Sequence, residues 1–271
     1  MIIDTHVHIG DQVSFNMTED MVLASMEKYH IDYSIVSNIE GVEYNNKGIL
    51  LPKEKQKSQI DVFQKTLRFA KAYPEQIGVM PWVKPVTERV DQEFVQLMEE
   101  NIQYIRGIKL HSFYSRIGMD DARLQPYIDL ARVYNLPMVC HTGGCEEADP
   151  IHMYRAAKAN PEVRFVMVHM GLGTDNKEAI ELMEDAPNLY ADTTWVPIES
   201  SLEVIRRYGS KRIVFGSDMP IDGVDTYYCN PKGERSLYRD YFEKLEEQIG
   251  SEAYEDLMYK NARRIFHVPV N

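Results

Sequence analysis

Residues 137–170 read P-M-V-C-H-T-G-G-C-E-E-A-D-P-I-H-M-Y-R-A-A-K-A-N-P-E-V-R-F-V-M-V-H-M. A short apolar run, Pro137 to Thr142, gives way to helical spacing over Ile151 to Ala159. Pro161 then stops the helix ahead of a second apolar run, Arg164 to Met170. Strand, helix and strand in about 30 residues make a βαβ unit, whose two strands lie parallel. The same alternation extends in both directions. Further strand-like runs are Ile2 to Ile9, Tyr33 to Ile39, Ile77 to Val83, Ile105 to His111, Asn188 to Thr194 and Arg212 to Met219. Helical spacing covers Glu19 to Tyr29, Gln56 to Tyr73, Glu88 to Gln103, Ala122 to Tyr134, Lys177 to Asp185, Leu202 to Tyr208 and Leu237 to Ile249. Thr18 is placed as an N-cap, Asn135 and Gly209 as C-caps, and Pro187 as a stop. Eight strand-like runs separated by helices in 271 residues predict an α/β fold, a (β/α)₈ TIM barrel. An open doubly wound sheet is the rival, since pattern alone does not prove closure. One domain over 1–271 is expected, with a helical tail at 251–266.

Composition narrows the function. With 44% hydrophobic residues the chain can bury a large core. A net charge of -12, without a basic run, argues against nucleic acid or an anionic membrane as partner. No apolar stretch approaches the roughly 20 residues that span a bilayer. The three cysteines, Cys140, Cys145 and Cys229, form neither a disulfide framework nor a C-x-x-C pair. Nor does the N-terminus have the basic start of a signal peptide. A cytoplasmic protein acting on a small molecule is expected, and an exposed apolar helix face could support a homodimer.

The polar residues that finish the apolar runs carry the chemistry. The first run, I-D-T-H-V-H-I, places His6 and His8 two residues apart and so on one face of a strand, with Asp4 beside them. The fifth ends in His141, the sixth in His169 and the eighth, I-V-F-G-S-D-M-P, in Asp218. Any one of these is commonly a satisfied core residue. Parallel barrel strands all end at the same face, however, so the five should converge over the mouth. Imidazoles with one carboxylate suit zinc first, then manganese, iron or cobalt, and an open position marks a catalytic site.

These residues resemble the amidohydrolase superfamily of metal-dependent hydrolases, in particular the branch that includes aminocarboxymuconate semialdehyde decarboxylase. The I-D-T-H-V-H start, G-I-K-L-H at Gly107 to His111, F-G-S-D-M-P at Phe215 to Pro220 and N-A-R-R-I-F at Asn261 to Phe266 carry the likeness nearly from end to end. The resemblance implies that His6, His8, His141 and Asp218 ligate one divalent metal. It implies that His169 bonds or activates the metal's water, and that Asp218 accepts a proton from it. Some superfamily members carry a carboxylated lysine that bridges two metals. Lys109 and His111, which share a face, would serve a binuclear site of that kind. The branch favours one metal, with Lys109 free for a substrate carboxylate.

The expected reaction is hydrolysis of an amide, ester or lactone by metal-activated water. The alternative is non-oxidative decarboxylation of an aromatic or unsaturated acid, which needs a basic group in the pocket; Lys109, Arg116 and Arg235 are the candidates. Two long loops, Glu40 to Lys55 and Ile221 to Arg235 with Tyr227, Tyr228 and Cys229, lie on the carboxyl side of strands, where barrels shape their pockets. Trp82, Trp195 and Tyr114 could wall the pocket, and Asp4 is expected to orient a ligand. His30, His152 and His267 are expected at the surface, and Cys145 as an inert thiol.

Overall fold

Hydrogen-bonded ladders form where the apolar runs fall. The computed structural model describes residues 1–221 and 237–269. Its strands are β1 (Ile3–Gln12), β2 (Phe15–Met17), β3 (Tyr33–Asn38), β4 (Ile77–Val79), β5 (Ile108–His111), β6 (Met138–Gly143), β7 (Phe165–Leu172), β8 (Leu189–Asp192) and β9 (Ile213–Val214). They pair in the orders β2-β1-β3-β4 and β5-β6-β7-β8-β9, and every pair is parallel except β1 with β2. Two seams join these sheets into a closed ring. Val79 bridges to Ile105 and Trp82 to Lys109 on one side. On the other, Thr5 N–H donates to Phe215 O (3.0 Å), Asp218 N–H to His6 O (2.9 Å) and His8 N–H to Met219 O (2.9 Å). Closure excludes the open sheet and gives the expected barrel. β2 has no counterpart among the expected runs; it is an antiparallel flap on the extended end of β1, with Gly10 opposite Met17.

Alternation along the strands sorts the core. Ile3, Ile35, Val139, Val166, Val168 and Val214 form one apolar cluster that fills the barrel, floored by Ala262, Ile265 and Phe266 of the helix Asn261–Phe266. The other strand faces pack outward with Phe63 and Leu67 of Gln59–Ala72, Met153 and Ala157 of Pro150–Ala159, and Val204 of Ile198–Tyr208.

Helix starts follow their caps. Thr18 Oγ1 accepts from Met21 N–H (3.2 Å), so Glu19–Tyr29 begins where expected. The helices expected from Gln56 and Glu88 begin later, at Gln59 and Gln92, because Ser58 and Asp91 cap them through Asp61 N–H (3.0 Å) and Phe94 N–H (2.8 Å). The helix expected from Leu202 begins earlier, at Ile198, whose buried side chain and that of Ser201 extend its inner face. The tail is helical over Ser251–Phe266, with a wider π turn at Asp256–Lys260. No helix among the described residues is long and apolar enough to cross a membrane.

The ends of β6 and β7 approach closely beside the site. A Cβ on Gly143 would sit 2.1 Å from the Leu172 amide nitrogen, and Gly143 has a φ of +101°. Gly143→Ala should lower the unfolding free energy by about 2 kcal/mol or more, from clash and left-handed backbone together. The denaturant midpoint reads this directly; an unchanged midpoint would show that the two strand ends part without cost.

Candidate active site

A register break between Asp4 and Val7 sets the direction of the first two histidines. Before it, Ile3 packs inside the barrel; after it, Val7 and Ile9 pack in the outer layer, so His6 and His8 face the axis. Their ring centroids are 4.7 Å apart. Asp218 faces them across the same seam, its N–H donating to His6 O, and places Oδ1 3.0 Å from His8 Nε2 and 3.7 Å from His6 Nε2. One ligand atom from each of His6, His8 and Asp218 lies within 4.8 Å of the others, and all three residues are buried.

The two imidazoles are held from behind. The Thr194 hydroxyl donates to Asp192 Oδ2 (2.6 Å) and so accepts from His6 Nδ1–H across 3.2 Å. His8 Nδ1 lies 3.0 Å from Ser37 Oγ. Each ring therefore turns Nε2 inward, in the manner of a metal-binding histidine steadied by an outer partner. Burial first, then the charge of Lys109, pushes His6 well below the ordinary imidazole range, which keeps its nitrogen free of a proton. Burial alone would raise the Asp218 carboxyl, but its histidine neighbours, His6 foremost, hold it well below the usual carboxylate range. Two imidazoles and an anionic carboxylate beside an open cavity fit a divalent ion with room for another ligand.

His169 is placed differently. The alternation that puts Val166 and Val168 inside the barrel would turn His169 outward, but its φ of +70° reverses this. Its N–H donates to Asp192 Oδ1 (2.9 Å), and Nδ1 lies 3.0 Å from Thr194 O. A carbonyl only accepts, so Nδ1 carries the proton and Nε2 keeps its lone pair. Burial lowers His169 to about 4. Trp195 and Asp218 also have positive φ, +54° and +68°. Each such non-glycine residue costs about 1–3 kcal/mol.

The remaining candidates fall around this centre. His141 stands beside the trio, with its ring centroid 4.6 Å from that of His169 and its Nε2 3.2 Å from Gly143 O. Three of the four expected ligands are thus gathered, while His141 lies outside the trio with Nε2 turned to the Gly143 carbonyl. His111 stacks between His141 (3.9 Å) and Trp82 (5.1 Å), with Nδ1 buried and unpartnered. Lys109 is fully buried, its Nζ 2.9 Å from His6 Nε2, and burial draws it down to about 8. Its Nζ meets the very nitrogen that His6 turns inward and does not line the cavity, which corrects the expectation of a free hand for a substrate carboxylate. Asp4 likewise stays out of the cavity; it accepts from His6 N–H (3.1 Å) and from the amide and hydroxyl of Ser217, and so fixes the backbone on both sides of the seam.

The cavity holds about 390 Å³. His8, His111, His141, His169 and Asp218 face it, and Phe15, Met17, Ile39, Phe113, Tyr114, Leu172, Trp195 and Ile221 wall it. Trp195 also donates Nε1–H to Asp218 Oδ2 (2.9 Å). The loop Glu40 to Lys55 does not reach the cavity; Asn46 Oδ1 instead accepts from the Tyr114 hydroxyl (2.7 Å), and the β2 flap supplies the wall. Arg116 lies over the Phe113 ring, 4.4 Å from its centroid, outside the lining. Tyr227, Tyr228, Cys229 and Arg235 lie outside the described residues. His30 and His267 are exposed, His152 is half-buried against Asp120, and burial raises the Cys145 thiol. Asp192 and Thr194 were not foreseen, although they follow the interior Tyr190 at two-residue steps, a spacing that points both inward.

Comparison with known proteins agrees with this geometry. A family model described as amidohydrolase matches residues 3–268. No curated protein matches the sequence. An uncharacterised TIM-barrel protein from Bordetella bronchiseptica is 18% identical, with a TM-score of 0.67 and 98% of each chain covered. A dihydroxybenzoic acid decarboxylase from Polaromonas, solved with manganese and an inhibitor, is 13% identical with a TM-score of 0.70, covering 100% of this chain and 98% of its own. A probable 2-pyrone-4,6-dicarboxylic acid hydrolase from Acinetobacter baumannii is 12% identical with a TM-score of 0.66, covering 98% and 99%. At such identities these structures speak for the fold, while the family match spans nearly the whole sequence: the chain belongs to the amidohydrolase family.

Proposed function

We propose that the chain is a metal-dependent hydrolase that cleaves an amide, ester or lactone bond of a small, largely apolar molecule. His6, His8, His141 and Asp218 would hold one divalent metal, zinc first by donor type, with manganese, iron or cobalt as alternatives. When bound, such an ion polarises a carbonyl oxygen and lowers the pKa of water from 15.7 toward about 7. His169 Nε2, the one nitrogen of that ring left without a proton, takes the proton released as water attacks. Asp218, an anion held at Oδ2 by the Trp195 indole, accepts the remaining proton of the added water and passes it to the departing nitrogen or oxygen, so both protons of the water are accounted for. The aromatic walls exclude solvent around the rest of the substrate.

One observation carries the choice of hydrolysis: no lysine or arginine is among the described residues that line the cavity. Among the described residues a substrate carboxylate thus meets no lysine or arginine there, whereas a neutral acyl group needs none. The second reading, non-oxidative decarboxylation of an aromatic or unsaturated acid, draws on the flat Phe113 and Trp195 walls and on decarboxylases among proteins of the same fold. A panel of esters, lactones, amides and hydroxybenzoates, assayed with zinc or manganese, separates them. Metal-dependent release of acid from the neutral substrates is expected. Carbon dioxide from hydroxybenzoates, with no hydrolysis of the others, would replace the first reading by the second.

A further inference from the structure

We propose that Thr194 is the positioning residue that joins the two halves of the site: its hydroxyl orients His6 as a metal ligand, and its carbonyl orients His169 as the base. The inference rests on the metal reading above but not on the choice between hydrolysis and decarboxylation.

Thr194 is fully buried and turns its hydroxyl and its carbonyl to the site. Its Oγ1 donates to Asp192 Oδ2 (2.6 Å) and sits 3.2 Å from His6 Nδ1; its carbonyl oxygen sits 3.0 Å from His169 Nδ1. Asp192 locks this arrangement, since Oδ1 also accepts the amides of His169 (2.9 Å) and Thr194 (3.2 Å). Directly before it, Thr193 Oγ1 bridges to Gly216 across β9, accepting from its amide and donating to its carbonyl at 3.0 Å each. The hydroxyl decides the tautomer of His6 because its own proton is committed to Asp192, leaving only a lone pair for Nδ1. A threonine that merely fills space would not need this chain of donors. Valine has the same shape and lacks the hydroxyl, so Thr194→Val leaves His6 Nδ1–H and Asp192 Oδ2 without their partner while retaining the carbonyl that holds His169.

The test is a competition titration of the full chain with a chelating dye, for zinc and for manganese, alongside turnover at saturating metal. Thr194→Val should bind metal about 10–100-fold more weakly, and Thr194→Ser, which restores the hydroxyl, within about threefold of the parent. With metal in excess the valine variant should regain most of its kcat, because His169 keeps its partner. Unchanged affinity in Thr194→Val, or equal loss in Thr194→Val and Thr194→Ser, would overturn the inference while leaving the metal reading intact. A parent chain that binds neither ion would overturn both.

Discussion

Asp218→Asn is expected to lower kcat/KM by about 10³-fold, with the chain still folded. The amide keeps the size of the carboxylate but not its charge or its two acceptors. Asp218 faces His8 Nε2 at Oδ1 (3.0 Å) and the Trp195 indole N–H at Oδ2 (2.9 Å). An asparagine must turn its NH₂ toward one of them. Turned to Trp195, donor opposes donor; turned to His8, it removes the oxygen that would hold the metal and carry the proton. Steady-state kinetics on the best substrate of the panel, with thermal unfolding as the control for folding, checks this. Activity within tenfold of the parent would remove Asp218 from the reaction.

His169→Gln should reduce kcat by about 10²–10⁴-fold while the protein keeps its metal. The separation follows from the geometry: His169 stands outside the close trio of His6, His8 and Asp218, and its Nδ1 is spent on a backbone carbonyl. Its contribution is thus confined to the nitrogen that faces the cavity. Metal content measured on the same preparation distinguishes the outcomes. Loss of metal in step with activity would make His169 a ligand instead of a base.

The barrel was legible because its strands are continuous apolar runs between capped helices, and parallel pairing sends every run's last residue to one rim. That logic also located His6, His8, His141, His169 and Asp218. Its failures have physical causes. Strict alternation would give Asp4 the face of His6, but the register break between them leaves Asp4 bonding backbone in the wall. Alternation would likewise turn His169 outward, and only the positive φ brings it in. The β2 flap is not legible because three residues, F-N-M, are too few to show a period, yet Phe15 and Met17 wall the cavity. Lys109 was correctly placed on an inward face. Spacing gives direction and not depth, so it did not reveal that the ammonium ends against His6.

The account stands on His6, His8 and Asp218 forming a single divalent-metal centre. Elemental analysis of the purified chain, its His6→Ala/His8→Ala variant and its Lys109→Ala variant tests this most directly. The prediction is one equivalent of metal per parent chain, lost in the double histidine variant and retained in Lys109→Ala. Equal metal in the double variant and the parent, or two equivalents that fall to one in Lys109→Ala, would contradict it.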